Sequence, residues 1–453
     1  MKNNYSVKNL CEFIWYLEEK YKLIDWKIKD IYIWQHLRIH IYYKLAMSLG
    51  ILDEAHPIHR KSILQKFKSI FSLSISFFTK NPFFIKAYSN ILIPHPRRVN
   101  GVEIYSHNLI REIGKELSII DNHNSSLKNS VTFDIYESLI ALKVKVFYKF
   151  CNFNIKELEI IPKIQNEIKL KFNLDTKLTN LFCKETLRFD LLQKLYFNFF
   201  KRNKVNKVFI VVAYFKSYII DAAKKLGIKT IELQHGTITK YHLGYSYPYN
   251  SIVAYAPEYI LTFGRYWSDT TPLPINLISK VIGSPFVKQF DENYIFPSKK
   301  KYITFCSQGV VGRSIFDFAY TVAKQISNYK IYFNIHPSEQ PEVYENILNE
   351  RGGLNNFILI YKKPNIFELL AHSEYQVGVF STTLFEGIVL KNKLILIDLP
   401  GIEYMTALCE KEKVPIVKTP NEFLKEYSKT KIIKGYKYFY DDKPQSILKL
   451  VDY

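Results

Sequence analysis

Residues 207–236, KVFIVVAYFKSYIIDAAKKLGIKTIELQHG, alternate strand, helix and strand patterns. The apolar run VFIVVAYF precedes a helix that ends near Gly227, and the strand KTIEL then leads into Gln234-His235-Gly236. This order predicts a right-handed βαβ unit of a parallel sheet. Because glycine lets the backbone turn sharply, the His235 imidazole should stand at the carboxyl end of a strand, where open α/β sheets bind ligands. The alternative is an ordinary histidine in a turn.

Strands with polar ends recur after residue 301. The strands YITFC, KIYFNI and YQVGVF end in Ser307-Gln308-Gly309, His336-Pro337-Ser338-Glu339 and Ser381-Thr382-Thr383. Helical patterns separate these strands, which is typical of a doubly wound α/β domain. The three loops should therefore share one edge of a second parallel sheet.

The predicted fold class is α/β, with two Rossmann-like domains in tandem after a helical N-terminal segment. We assign residues 1–88 to that segment, 89–285 to the first α/β domain and 286–453 to the second, which includes C-terminal helices. The polar stretch 285–301 reads as the linker. Residues 66–88 are rich in phenylalanine and lysine, which favours either an amphipathic membrane-surface segment or an aromatic helix hairpin packed on the next domain.

Composition limits the class of protein. The net charge of +21 comes mainly from lysine, which favours attraction to polyanions or anionic lipid, although A/T-rich codons could also explain it. No nucleic-acid-binding motif occurs, so no nucleic acid partner is expected. The 5 cysteines are scattered without ligand spacing, so neither disulfides nor a zinc site is expected. Without an apolar leader or spanning segment, we expect a cytoplasmic protein, at most peripheral on the membrane.

The loops of the second α/β domain have the chemistry of an anion site. Ser307, Gln308 and Gly309 offer backbone N–H groups and a hydroxyl, and Ser381-Thr382-Thr383 begins a helix whose dipole favours anions. Pro337 fixes the chain beside His336. Glu386, one turn into the helix, could receive a ribose hydroxyl. Together these residues could hold a nucleotide phosphate without a metal, although each motif alone also fits a helix cap or a turn.

A basic loop follows the first strand of the first α/β domain. Arg97 and Arg98 come directly after the strand NILIPH, where their guanidinium groups could grip carboxylates or phosphates. A solvated basic loop is the alternative. If the arginines are functional, they would contact a charged acceptor.

As a set, these motifs resemble a known enzyme family. QHG in the first domain, with SQG, His336-Pro337-x-Glu339 and S-T-x-x-x-E ending at Glu386 in the second, resembles GT-B glycosyltransferases over roughly residues 90–430. In particular, the chain resembles bacterial surface-polysaccharide transferases: the capsule-synthesis group, polysialyltransferases, Kdo transferases and teichoic-acid glycerophosphotransferases. DxD and a glycine-rich dinucleotide fingerprint are missing. The resemblance implies two domains facing a cleft, metal-independent transfer, and no cofactor beyond a CMP- or UDP-linked sugar as substrate.

The resemblance also implies roles for individual residues. His235 would be the catalytic base, with Glu232 either orienting it or pairing with a lysine. The donor would bind the second domain, through Ser307, Gln308, Gly309, His336, Pro337, Glu339, Ser381, Thr382, Thr383 and Glu386. The acceptor, a glycan or glycolipid, would bind the first domain, through Arg97, Arg98, Gln234, His242 and Tyr245.

The leading functional hypothesis is a glycosyltransferase that builds capsule or lipopolysaccharide. The motifs do not separate this reaction from transfer of a polyol phosphate from a CDP-alcohol. A basic protein that binds polyanions or lipid without catalysis is a third hypothesis. Peripheral contact with an anionic membrane is compatible with each of them.

Overall fold

The computed structural model describes residues 5–52, 63–96, 98–99, 102–284, 297–361, 365–441 and 445–452. The helical N-terminal segment contains α1 (Val7–Lys20), α2 (Ile33–Ser48) and α3 (Ile63–Thr79). Ser6 caps α1 by accepting from the backbone of Asn9. Helix α2 buries apolar residues around most of its circumference, which is typical of a helix enclosed by other elements.

The first sheet and its helices follow. In chain order they are β1 (Asn90–Ile93), β2 (Arg98–Val99), β3 (Val102–Glu103), α4 (His107–Ile113), β4 (Leu117–Ile120), β5 (Ser130–Val131), α5 (Asp134–Phe147), α6 (Ile155–Leu158), α7 (Ile160–Phe172), α8 (Thr179–Asn203), β6 (Lys207–Val211), α9 (Ser217–Lys224), β7 (Lys229–Leu233), β8 (Tyr259–Thr262), α10 (Tyr266–Asp269) and β9 (Ile278–Val281). The 7-stranded sheet has the order β5-β4-β1-β6-β7-β8-β9. All its pairs are parallel.

The second sheet repeats this plan. Its elements are β10 (Lys300–Cys306), α11 (Gly312–Gln325), β11 (Lys330–Asn334), α12 (Pro341–Arg351), β12 (Phe357–Ile360), α13 (Ile366–His372), β13 (Ser373–Gly378), α14 (Thr382–Val389), β14 (Lys393–Ile397), α15 (Thr406–Glu412), β15 (Ile416–Val417) and α16 (Pro420–Glu426). A last helix, α17 (Ile447–Asp452), follows them in the chain. The 6-stranded parallel sheet has the order β12-β11-β10-β13-β14-β15. In both sheets the first strand lies in the middle and the order reverses beside it, as in the Rossmann fold.

The strands form where the sequence is continuously apolar. Val208 to Val211 of β6 are fully buried, as expected for a central parallel strand covered by helices on both faces. One face packs on α8 and α9 through Phe199 and Ala223, and the other packs on α4 through Leu109. Although α17 follows the second sheet in the chain, its Ile447 and Val451 join the core of the first sheet.

The predicted fold class is confirmed: two Rossmann-like sheets face a common cleft, and a helical segment precedes them. The helical part of 66–88 is the single helix α3, which ends at Thr79, so these residues do not form a helix hairpin. Most of the predicted linker, residues 285–296, lies outside the described residues.

Candidate active site

A cavity of about 500 Å³ lies between the two sheets. Residues of both sheets line it: His235, Gly236, Thr237 and His242 from the first, and Ser307, Gln308, His336, Pro337, Ser381, Thr382 and Thr383 from the second. Tyr43 and Leu52 of the N-terminal segment, and Tyr404, complete part of the wall. The QHG loop therefore faces the three predicted loops of the second sheet across one space.

The register of the second sheet brings its three loops together. Cys306 of β10 pairs with Asn334 of β11, so the loops that follow them leave the sheet side by side. Gly309 permits this contact, because a Cβ atom there would lie 2.6 Å from the Ser338 hydroxyl oxygen. A side chain at position 309 would therefore displace the Ser338 hydroxyl that contacts His336.

Hydrogen bonds assign the tautomer of His336. Its Nδ1 accepts from the backbone N–H of Ser338 at 3.2 Å and lies 2.7 Å from the Ser338 hydroxyl. Because the backbone N–H can only donate, Nδ1 is the unprotonated nitrogen and Nε2 holds the hydrogen. His336 can therefore donate a hydrogen bond from Nε2 to an anionic oxygen.

The N-terminus of α14 supplies further donors. Ser381 is the N-cap, and its hydroxyl accepts from the backbone N–H of Thr383 at 3.2 Å. The dipole of this helix favours a negative group in the cavity. Gln308 Oε1 is buried without a hydrogen-bond partner in the described part of the chain, so a ligand donor could satisfy it.

On the opposite wall, Tyr245 connects His235 to a buried carboxylate. Its hydroxyl lies 2.9 Å from Glu232 Oε1 and 3.3 Å from His235 Nδ1. Ionised Glu232 can only accept a hydrogen bond, so the Tyr245 hydroxyl donates to it, and the phenol oxygen then accepts from His235 Nδ1–H. This arrangement leaves His235 Nε2 unprotonated.

The same buried environment shifts the pKa values of Glu232 and His235. Burial raises the pKa of Glu232 to about 7, against the opposing effects of the Ala213 N–H, Tyr245 and Lys216. Burial, with the nearby His242, His95 and Lys216, lowers the pKa of His235 to about 3. The imidazole is therefore uncharged near neutral pH, as a proton acceptor must be. A bound phosphate anion nearby would raise its proton affinity.

Several residues around His235 were not among the predicted site residues. His95 stacks on His235 with ring centroids 5.7 Å apart, and Tyr105 and Tyr214 lie against the same imidazole. His95-Pro96 follows β1 as His336-Pro337 follows β11, so the repeated dipeptide was a usable signal. The aromatic contacts themselves join distant segments, which no local pattern indicates.

Some predicted donor residues lie beside the cavity but do not line it. Glu339 is buried, and its Oε2 accepts from the His336 backbone N–H at 2.8 Å, so this carboxylate holds the loop. Glu386 lies in α14 outside the cavity wall. Gly309 likewise acts through its backbone packing, as described above.

Among the predicted acceptor residues that the structure describes, only His242 lines the cavity. Gln234 is buried, where it accepts from the Phe263 N–H at 2.7 Å and donates to the Gly236 carbonyl at 2.8 Å. Tyr245 is also buried and bridges two residues of its own domain. Arg98 forms a 2.6 Å ion pair with Asp121. Arg97 lies outside the described residues.

The described residues show neither a metal-binding cluster nor a membrane-spanning helix. No group of three or more His, Cys, Asp or Glu side chains in the described ranges is arranged to hold a metal ion. Within those ranges, no helix is both long and apolar enough to cross a membrane. Metal independence stays a prediction.

Comparisons with known proteins give distant structural likenesses. No protein-family model and no curated protein matches the chain. The UDP-GlcNAc 2-epimerase of Methanocaldococcus jannaschii, solved with UDP-GlcNAc and UDP, is 12% identical with a TM-score of 0.46, over 81% of this chain and 99% of that chain. MurG of Acinetobacter baumannii is 10% identical with a TM-score of 0.43, over 78% and 92%. A glycosyltransferase of Rickettsia africae is 13% identical with a TM-score of 0.40, over 76% and 89%.

Proposed function

We propose that this protein is a metal-independent glycosyltransferase that moves a sugar from a nucleotide-activated donor to a bacterial surface glycan, such as capsule or lipopolysaccharide. The observation that supports it is the facing arrangement of His235 and the three anion-binding loops across one cavity. One wall offers a neutral imidazole with a free Nε2, and the other offers N–H donors to a phosphate. Transfer between a hydroxyl and a phosphate leaving group needs these two kinds of group in opposition.

In the proposed reaction, the donor phosphate lies at the Ser381–Thr383 helix start and accepts from His336 Nε2–H. The acceptor hydroxyl oxygen attacks the anomeric carbon while its proton passes to His235 Nε2. The bond between the anomeric carbon and the phosphate oxygen breaks, and the nucleotide leaves with the bonding electrons. The helix dipole and His336 stabilise the charge that develops on that oxygen.

The donor nucleotide and the acceptor belong to the same proposal. We favour a CMP- or UDP-linked sugar, because the His-Pro and Ser-Thr motifs resemble those of CMP-using transferases and the cavity fits a nucleotide. No further cofactor enters the reaction. The acceptor is a glycan or glycolipid at the inner face of the cytoplasmic membrane, with the protein peripheral to it.

A nucleotide panel tests the donor site. We expect CMP, CDP, UDP, GDP or dTDP, in the presence of EDTA, to stabilise the protein by about 2.7 kcal/mol at a hundred times its dissociation constant. CMP would indicate an acidic-sugar donor, UDP a hexose donor and CDP the polyol-phosphate reaction. His336→Ala should abolish the stabilisation. His372→Ala is the matched control, because His372 lies in the same domain but outside the cavity.

Two results would contradict the proposal. The first is the absence of stabilisation by any nucleotide, which would favour a non-catalytic binding protein. The second is equal stabilisation in the His336→Ala and His372→Ala variants, which would place the nucleotide elsewhere. Once the donor is known, His235→Ala should bind it but lose turnover by about a hundredfold or more.

A further inference from the structure

Helix α3 exposes an apolar stripe. Phe71, Ile75 and Phe78 are 69%, 48% and 73% exposed. Their spacing of four and three residues places them on one face of the helix. Phe84, beyond the end of α3, extends the stripe, since Phe77 lies between Phe78 and Phe84 with ring centroids 5.3 and 5.7 Å away. Neighbouring exposed apolar side chains of this kind are typical of an interaction surface.

Helix α5 exposes a second stripe with the same spacing. Leu139, Leu142 and Val146 are at least half exposed, and Phe150 continues their line beyond the helix. The other face of α5 packs on α8, where the Tyr196 hydroxyl donates to Glu137 at 2.8 Å. The outward stripe is therefore not the face that α5 uses to join its own domain.

The two stripes belong to one surface. The carbonyl of Lys80, just after α3, accepts from the backbone N–H of Thr132, just before α5, at 2.9 Å. The Tyr136 hydroxyl donates to Asn81 Oδ1 at 3.2 Å, and the Tyr136 ring packs edge-on against Phe83. We call this the α3/α5 surface, defined by Phe71, Ile75, Phe78, Phe84, Leu139, Leu142, Val146 and Phe150.

The charged residues of the two segments that contain the exposed stripes have a single sign. The segments 63–88 and 138–150 contain no aspartate or glutamate, and their charged residues are Lys66, Lys68, Lys80, Lys86, Lys143, Lys145 and Lys149. Of these, Lys86, Lys143, Lys145 and Lys149 are exposed. Exposed apolar side chains on segments whose charged residues are all lysines match the two layers of an anionic bilayer surface, in which acyl chains lie below negative head groups.

We propose that the α3/α5 surface docks the protein on an anionic lipid bilayer. The apolar stripes enter the boundary between head groups and acyl chains, and the lysines contact the head groups. A second copy of this chain is a less favourable occupant, because its approach would bring two lysine-rich surfaces together.

Docking through the α3/α5 surface would also orient the cavity relative to the bilayer. This part of the inference rests on the proposed function. Thr132 follows β5 at the carboxyl edge of the first sheet, and His235 follows β7 at the same edge of that parallel sheet. The bilayer would then lie beside the edge at which the acceptor hydroxyl must arrive. This geometry favours a lipid-linked glycan as acceptor.

Vesicle co-sedimentation of the full chain tests the surface. We expect binding to vesicles of phosphatidylcholine with phosphatidylglycerol, much less binding to phosphatidylcholine alone, and weakening as salt is raised. The double variant Phe78→Ser/Leu142→Ser should lower the partition coefficient by about tenfold or more. Leu170→Ser, at an equally exposed leucine of α7 at 74% exposure, should leave it unchanged.

Three outcomes would overturn the docking proposal: wild-type protein that ignores anionic vesicles, the double variant binding as wild type does, or Leu170→Ser losing as much affinity. The first would favour an acidic protein as the partner. Nucleotide stabilisation, measured on the same variants, separates this proposal from the proposed function. It should survive Phe78→Ser/Leu142→Ser, while vesicle binding should survive His336→Ala.

Discussion

Tyr245 determines which nitrogen of His235 is protonated. With Glu232 ionised, the Tyr245 proton points to the carboxylate and His235 Nε2 is free to accept. With Glu232 protonated, the carboxyl group can donate to Tyr245, which then donates to His235 Nδ1, and the imidazole hydrogen moves to Nε2. The second state has no proton acceptor facing the cavity. Since burial raises the pKa of Glu232 to about 7, both states occur near neutral pH.

We therefore expect kcat/KM to fall tenfold per pH unit below pH about 7, as Glu232 takes up a proton. Glu232→Gln should remove this acidic limb, because the amide oxygen can still accept from Tyr245 and does not titrate. Tyr245→Phe should lower turnover at every pH while leaving donor binding intact. The measurement is the pH profile of kcat/KM for the three proteins. An unchanged acidic limb in Glu232→Gln would exclude Glu232 as the titrating group.

The sequence indicated part of this chain of contacts. It predicted His235 as the base and Glu232 as a residue that could orient it. It placed Tyr245 with the acceptor, although the phenol is buried between the other two. The reason is that Tyr245 lies in an irregular loop, where neither a period of two nor one of 3.6 residues predicts the direction of a side chain.

At the scale of elements, α1 and α2 support the loop that contains His242 and Tyr245. Arg38 of α2 pairs with Glu18 of α1, with Nε 2.5 Å from Oε1, and both side chains are buried. The same guanidinium donates to the Leu243 carbonyl and lies over the Tyr247 ring at 4.1 Å. The loop after β7 is thus fixed to the N-terminal helices by one buried cation.

We expect Glu18→Ala to lower the free energy of unfolding by about 3–5 kcal/mol, because it leaves the Arg38 charge buried without its partner. Glu12→Ala is the control on the same helix. Glu12 is half exposed and lies 3.8 Å from Lys8, so its loss should cost about 1 kcal/mol or less. Urea unfolding of the three proteins measures both effects. Equal losses in the two variants would show that the buried pair does not hold the helices to the loop.

Periodicity predicted the elements better than the contacts between them. The βαβ unit at β6, α9 and β7, and the polar loops after β10, β11 and β13, follow from apolar runs and glycine positions that can be read locally. The contact of Arg38 with Leu243 cannot be predicted from local patterns, because it joins residues far apart in the sequence. The same limit explains why the membrane-surface hypothesis for residues 66–88 omitted α5, which completes the exposed surface.

At the scale of the molecule, an apolar core joins the two sheets. Trp267, after β8, packs on Phe385 of α14 with ring centroids 4.7 Å apart, and its Nε1–H donates to the Phe439 carbonyl at 2.8 Å. The chain then returns, so that α17 packs on the first sheet through Ile447 and Val451. The two domains should resist separation, because the contact between them is apolar and because the chain returns from the second domain to the first. No sequence pattern predicted it, since its members come from separate segments.

The two sheets should consequently unfold in a single calorimetric transition. Trp267→Ala removes the largest side chain of the contact and should cost about 3–5 kcal/mol, enough to separate the melting of the two sheets into two transitions. Trp26→Ala is the control, because Trp26 lies in the core of the N-terminal helices. It should lower the melting temperature by a similar amount and keep one transition. Two transitions in the wild-type protein would mean that the contact is too weak to couple the sheets. The walls of the cavity would then move independently, and the distance from His235 to the donor loops would no longer be set by the fold.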